Sequence, residues 1–152
     1  MKKENFNKVK PDKMLLAGKR KYFLGNVDLH DISEKIGTQD QKIYYVKFHD
    51  GARTKLHHHE GSQVLVATKG SGALVLYDKT GTNKQIVLKV RDKIILREGD
   101  LVHIPKNTLH WHGAMQGKNL NHIAFNGFTS RGKEARTIWY DSDFKSYAVR
   151  IS

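Results

Sequence analysis

No stretch of this chain sustains a helical repeat over the length of an ordinary helix. Short runs of β-branched, aromatic and leucyl residues recur instead, separated by turns rich in Gly, Asp and Asn. KYFLGNVDL (Lys21–Leu29), IYYVKF (Ile43–Phe48), QVLVAT (Gln63–Thr68), ALVLY (Ala73–Tyr77) and QIVLKV (Gln85–Val90) read as strands. KIIL (Lys93–Leu96), Leu101–Ile104, LNHIAFN (Leu120–Asn126) and TIWY (Thr137–Tyr140) extend the series. The connections His49-Asp50-Gly51, Lys69-Gly70-Ser71-Gly72, DKTGTNK, Arg91-Asp92 and Glu98-Gly99-Asp100 carry turn chemistry, and DKTGTNK marks a hairpin. Asp31–Gln41 is polar and is expected to hold a short helical turn starting near Ser33. Many short strands at close spacing predict an all-β sandwich or barrel.

Composition narrows the choice. A length of 152 residues suits one domain, and the absence of cysteine excludes disulfide frameworks and thiolate metal sites. No run reaches membrane-spanning length, and the N-terminus lacks a signal-type apolar region, so a soluble cytoplasmic protein with no membrane partner is expected. The formal net charge is +12, and residues 1–21 hold eight Lys/Arg against Glu4 and Asp12. Residues 1–20 are therefore expected to be a basic, loosely held arm, and residues 21–152 a single folded domain. The arm carries no recognised nucleic-acid motif, so a nucleic-acid partner is not expected despite its charge.

Six of the nine histidines fall in three short segments: His57-His58-His59, His110 and His112 around Trp111, and His122. Side chains alternate along a strand, so His57 and His59 share a face and His58 takes the other, where it is expected to be exposed. His122 shares its face with Ala124 and Asn126. Imidazoles gathered on an inner barrel wall would form a nitrogen-rich metal site, with His112 either near the metal or hydrogen-bonding a ligand from behind. His103 is expected to point outward. His30 and His49 sit near turns with no partner legible in the sequence. One of Tyr44 and Tyr45 must face out by the same alternation.

Two spacings resemble the paired motifs of the cupins. Gly51-x5-His57-x-His59-x3-Gln63-x6-Gly70 matches the first motif except that cupins usually carry Glu where Gln63 stands. Gly99-x5-Pro105-x-Asn107-x2-His110 resembles the second, with Asn107 replacing the usual Gly and Ala114 the usual Asn. Asn is the best substitute for Gly at a left-handed backbone position. IPKNTLHWHGA followed by NHIAF is similar to a subgroup of small single-domain cupins with Gln at the third ligand position. The resemblance implies a cupin-type double-stranded β-helix, or jelly-roll barrel. It further implies one divalent transition metal ion (Fe, Mn, Ni, Cu, Co or Zn) held by His57, His59, Gln63 and His110, with His58 on the outer face. A homodimer paired or exchanged through Lys21–Leu29 is expected from the same likeness and from the hazard of an uncovered strand edge.

A neutral amide in place of a carboxylate leaves the metal charge uncompensated, which favours a small anionic substrate. The resemblance places a metal-dependent oxygenase or dioxygenase first. A non-redox lyase, decarboxylase, isomerase or hydrolase follows, and a small-molecule binding or sensor module comes third. His112 and His122 are the candidate catalytic acid–base residues, and they separate the first two classes, because proton abstraction needs an inner histidine and simple oxygen activation does not.

Overall fold

The computed structural model describes all residues from Met1 to Ser152. Ten strands and two short α-helices follow in the order β1 (Phe23–Asp31), α2 (Ile32–Ile36), β2 (Lys42–Thr54), β3 (Leu56–His59), β4 (Gln63–Gly81), β5 (Gln85–Arg97), β6 (Leu101–Ile104), β7 (Leu109–Ala114), β8 (Leu120–Asn126), β9 (Thr137–Ser142) and β10 (Tyr147–Arg150), with α1 (Lys13–Lys19) ahead of β1. All pairings are antiparallel, and one sheet runs β1-β2-β7-β3-β9-β10-β5-β4-β6, closed by β8 between β2 and β4. This is the antiparallel jelly-roll barrel that the strand spacing and the family resemblance imply.

Several expected turns are bends within longer strands. β2 passes through His49-Asp50-Gly51, with Asp50 and Gly51 at φ 45° and 76°, and β4 passes through Lys69–Gly72 with a register shift after Ala67. β5 likewise runs through Arg91-Asp92, absorbing it as a bulge opposite Leu76/Tyr77. The long β4–β5 hairpin turns only at its tip, where the Thr82 hydroxyl accepts from the Gln85 amide. A bulge reproduces turn chemistry locally while the ladder continues on either side, which is why residue type alone does not separate the two.

The bent strands create two main cores on opposite faces of the wall that contains β3 and β7. The larger lies inside the barrel and includes Leu29, Val46, Phe48, Leu65, Leu74 and Leu120. The second lies outside that wall, where β5, β9 and β10 fold over Leu56, Val75, Tyr77, Leu109 and Ile138. All four residues of β3 are consequently buried. His58 does face away from His57 and His59, but it is only 8% exposed, because the second core covers the outer face on which solvent was expected.

Part of the N-terminal segment, largely exposed, packs against the barrel. Asp12 caps α1 by accepting from the Leu15 amide, and Leu15 and Leu16 pack against the barrel core. Phe6 packs edge-on against Tyr45. His30 Nδ1 donates to the Tyr45 carbonyl at 2.8 Å, and His49 Nε2 lies 2.9 Å from Asp28, so both have partners that only strand pairing reveals. His103 is exposed, as alternation requires.

Candidate metal centre

β3 and β7 lie side by side, and the register sets His57 directly opposite His110, with ring centroids 4.2 Å apart. His59 follows two residues along β3, and His112 two residues along β7, each on the inner face. β8 contributes His122 and Asn126, and β4 opens with Gln63. Two local features let these strands meet. Asn107 occupies a left-handed conformation at φ 60°, as expected of a residue standing where Gly is usual. Gly113, between His112 and Ala114, has no room for a side chain: a Cβ there would lie 2.4 Å from the Arg53 Cα.

The histidine tautomers follow from their partners. His57 Nδ1 donates to the Lys55 carbonyl at 2.9 Å and His110 Nδ1 to the Thr108 carbonyl at 2.7 Å, so each neutral ring keeps its lone pair on Nε2. His59 Nδ1 is engaged by the Thr137 hydroxyl at 2.9 Å. His59 Nε2, His110 Nε2 and the Gln63 amide oxygen are buried with no hydrogen-bond partner in the protein. Burial holds these imidazoles neutral: His59 is lowered to about 3, His110 to about 4, and His57 well below the ordinary range. Neutral, oriented imidazoles with unshared lone pairs are what metal coordination requires.

Gln63 owes its orientation to two residues without a legible role in the sequence. Its Nε2 donates to Asn126 Oδ1 at 2.7 Å, and Asn126 Nδ2 donates to Glu134 at 2.8 Å. A carboxylate offers only acceptors, so Glu134 commits the Asn126 amide to donate toward it and to accept from Gln63. Gln63 must then turn its oxygen away, toward the histidines. Tyr44 completes the chain 3.5 Å from the other Glu134 oxygen, and burial raises its hydroxyl far above its ordinary value. Tyr44 is thus the inward member of its pair. Tyr45, on the other face, is also buried and bonds Asn121.

His112 is distinguished by its partner. Its Nδ1 lies 3.1 Å from His122 Nε2, and both rings are buried. The potential donor atoms lying closest together, within 4.8 Å, belong to His57, His110 and His112. Proximity alone therefore favours His112 as a ligand over His59 and Gln63. Hydrogen bonding favours the other set, since His59 Nε2 and the Gln63 amide oxygen, like His110 Nε2, are buried without a partner whereas no atom of His112 is. An unpaired buried polar atom has an energetic cost and a short interatomic distance alone has none, so His59 and Gln63 are the stronger candidates.

The histidines open onto a cavity of about 340 Å³. Tyr22, Phe23 and Trp139 supply apolar walls, and Trp139 stacks on both His57 and Tyr22. Lys19 from α1 and Arg136 ahead of β9 add cationic groups. His110, enclosed behind the other rings, does not line this space. The roles of Lys19, Arg136 and Glu134 leave no signal in the sequence because they come from the N-terminal segment and from the connection before β9. Asn126 had one: it shares the strand face of His122.

Residues 44–121, just over half of the chain, match the cupin domain family. The protein is a cupin. A cupin-like protein from Thermotoga maritima is 33% identical, with 80% of this chain and 81% of that one aligned at a TM-score of 0.61. A cupin 2 conserved barrel domain protein from Rhodopseudomonas palustris is 17% identical (78% and 70% covered, TM-score 0.58). The polyketide cyclase RemF from Streptomyces resistomycificus is 15% identical (82% and 78% covered, TM-score 0.58). The last two likenesses are of fold alone. No curated protein matches the chain. No helix of this cupin is long and apolar enough to cross a membrane.

Proposed function

We propose that this cupin is a metal-dependent enzyme that transfers a proton on a small anionic substrate, as a lyase or isomerase does. His57, His59, His110 and Gln63 would hold one divalent transition metal ion, Fe, Mn, Ni, Cu, Co or Zn. When bound, such an ion supplies Lewis-acid polarisation of a substrate oxygen. The His112–His122 pair carries the proposal. In the tautomer that directs its Nδ1 proton at His122 Nε2, His112 presents the Nε2 lone pair as a general base. A proton gained at Nε2 is matched by passing the Nδ1 proton across the 3.1 Å bond, which moves the positive charge one ring farther away. His122 thus orients the base and receives the charge, the arrangement general-base sites use.

Lys19 attracts an anion to the cavity, and the neutral donor set leaves the metal charge to reinforce it. Tyr22, Phe23 and Trp139 shed water around the bound molecule. The oxygenase placed first by family resemblance uses the same donors but gives His112 and His122 no proton to handle, so the pair moves the preference to non-redox chemistry.

The decisive experiment combines elemental analysis of protein purified without added metal with solvent-deuterium exchange and oxygen uptake on a panel of hydroxy and keto acids. His112→Asn should retain metal and lose exchange. Metal loss in that variant would make His112 a ligand, and oxygen uptake stoichiometric with turnover would restore the oxygenase. We also assign a homodimer to the free edge of β1, one of the two terminal strands of the sheet. A monomer in light scattering at millimolar concentration refutes it.

A further inference from the structure

Behind the metal wall lies a second cavity of about 340 Å³, formed where the tip of the β4–β5 hairpin meets β3, β9 and β10. Its lining is unlike that of the first. Lys79, Arg136 and Arg150 contribute three cationic groups, and Glu60 is the one carboxylate. Glu60 is already taken by Arg136 through a two-point pair at 2.7 and 3.2 Å. Lys79 and Arg150 form no ion pair, and Arg150 has only a long contact from Nε to the Ser152 carbonyl oxygen.

His58 lies in the same lining, more than nine-tenths buried, and its Nδ1 has no partner in the protein. A buried polar atom without a partner is costly, and such atoms concentrate where a ligand completes them. The Tyr140 side chain packs beside His58, with ring centroids 5.8 Å apart. Ile86 and Ile138 give the cavity an apolar floor. Three cations, an imidazole and the apolar side chains of Ile86 and Ile138 in one lining suit an oxyanion of two charges carried on a small organic group.

We propose that this outer cavity binds a phosphate group, free or as a small phosphomonoester. The Arg150 fork and the Lys79 ammonium pair with the phosphate oxygens, and His58 supplies a neutral ring contact. The excess of cationic over anionic groups in the lining matches the phosphate charge. The volume exceeds what inorganic phosphate alone fills, so an ester would lay its organic part over Ile86 and Ile138. The site requires no metal and does not rest on the function proposed above. It does share a strand with the first site: His58 stands between His57 and His59, and Arg136 borders both cavities.

The test is a titration of the full chain with sodium phosphate at constant ionic strength, followed by amide and imidazole NMR. Saturable shifts should centre on the His58 ring and the amides of Thr80–Asn83. Lys79→Ala with Arg150→Ala, both exposed positions, should weaken binding at least tenfold. Lys89→Ala with Lys106→Ala removes the same charge from outside the cavity and should change affinity less than twofold. Propyl phosphate binding more tightly than inorganic phosphate would identify the ester as the ligand class, and equal or weaker binding would identify free phosphate. Unsaturated shifts spread over the surface, or equal weakening by the two double variants, would overturn the site. The attraction would then be that of a chain with net charge +12 for any anion.

Discussion

Replacing Gln63 with Glu changes one atom type, and the structure makes that change expensive. Gln63 is 4% exposed and donates to Asn126, whose own amide is committed to Glu134. A carboxylate at position 63 would face the Asn126 oxygen, acceptor against acceptor. If Asn126 turned over, its oxygen would face Glu134 instead. Either arrangement loses a buried hydrogen bond and leaves acceptors opposed, a cost of roughly 1–3 kcal/mol. For a chain of this size that lowers Tm by roughly 2–12 °C. Glu134→Gln alone should be within about 1 kcal/mol of wild type, because its amide oxygen can still accept from Asn126. The double variant reverses every donor and acceptor in the chain and satisfies all of them, so it should recover most of the loss. The assay is urea unfolding of chelator-treated protein, since bound metal would add its own stabilisation. Effects of the two substitutions that add to within about 0.5 kcal/mol would refute the coupling. A carboxylate is also the harder donor and cancels one metal charge, so the double variant should retain metal at least as well as wild type.

The metal-free protein should lose stability as pH falls below about 6.5, the ordinary histidine value. His59 at about 3 and His110 and His122 at about 4 remain neutral when folded, whereas the unfolded chain takes up their protons. The unfolded state therefore binds more protons, and stability drops by up to about 1.4 kcal/mol per pH unit for each histidine until the folded values are reached. Constant stability from pH 7 to pH 5 in denaturant titrations would contradict this. His57→Ala, His59→Ala and His110→Ala should each lose metal by elemental analysis while His58→Ala keeps it, and equal loss at His58 would overturn the assignment of faces. Gly113→Ala should destabilise by about 3 kcal/mol or more, because the added Cβ meets Arg53 backbone at 2.4 Å. A thermal midpoint unchanged from wild type would show that β2 and β7 have slack there.

Alternation along β3, the left-handed turn at Asn107 and the all-β architecture were legible in the sequence, because each depends on the residue and its immediate neighbours. That His57 and His59 share a face needed only the period of a strand, and the resemblance to the cupin motifs made that face the inner one. The burial of His58 on the other face could not be read that way, since it depends on β5, β9 and β10 returning from later in the chain to cover it. The N-terminal segment reads as a solvated arm from its charge, yet Leu15 and Leu16 find the barrel core only once the barrel exists. The orientation of Gln63 is set at one remove by Glu134, and the partner of His112 lies on a neighbouring strand. Strand periodicity determines which way a side chain points. What it meets there is decided by register and closure between segments distant in sequence, and the chemistry of this site depends on those meetings.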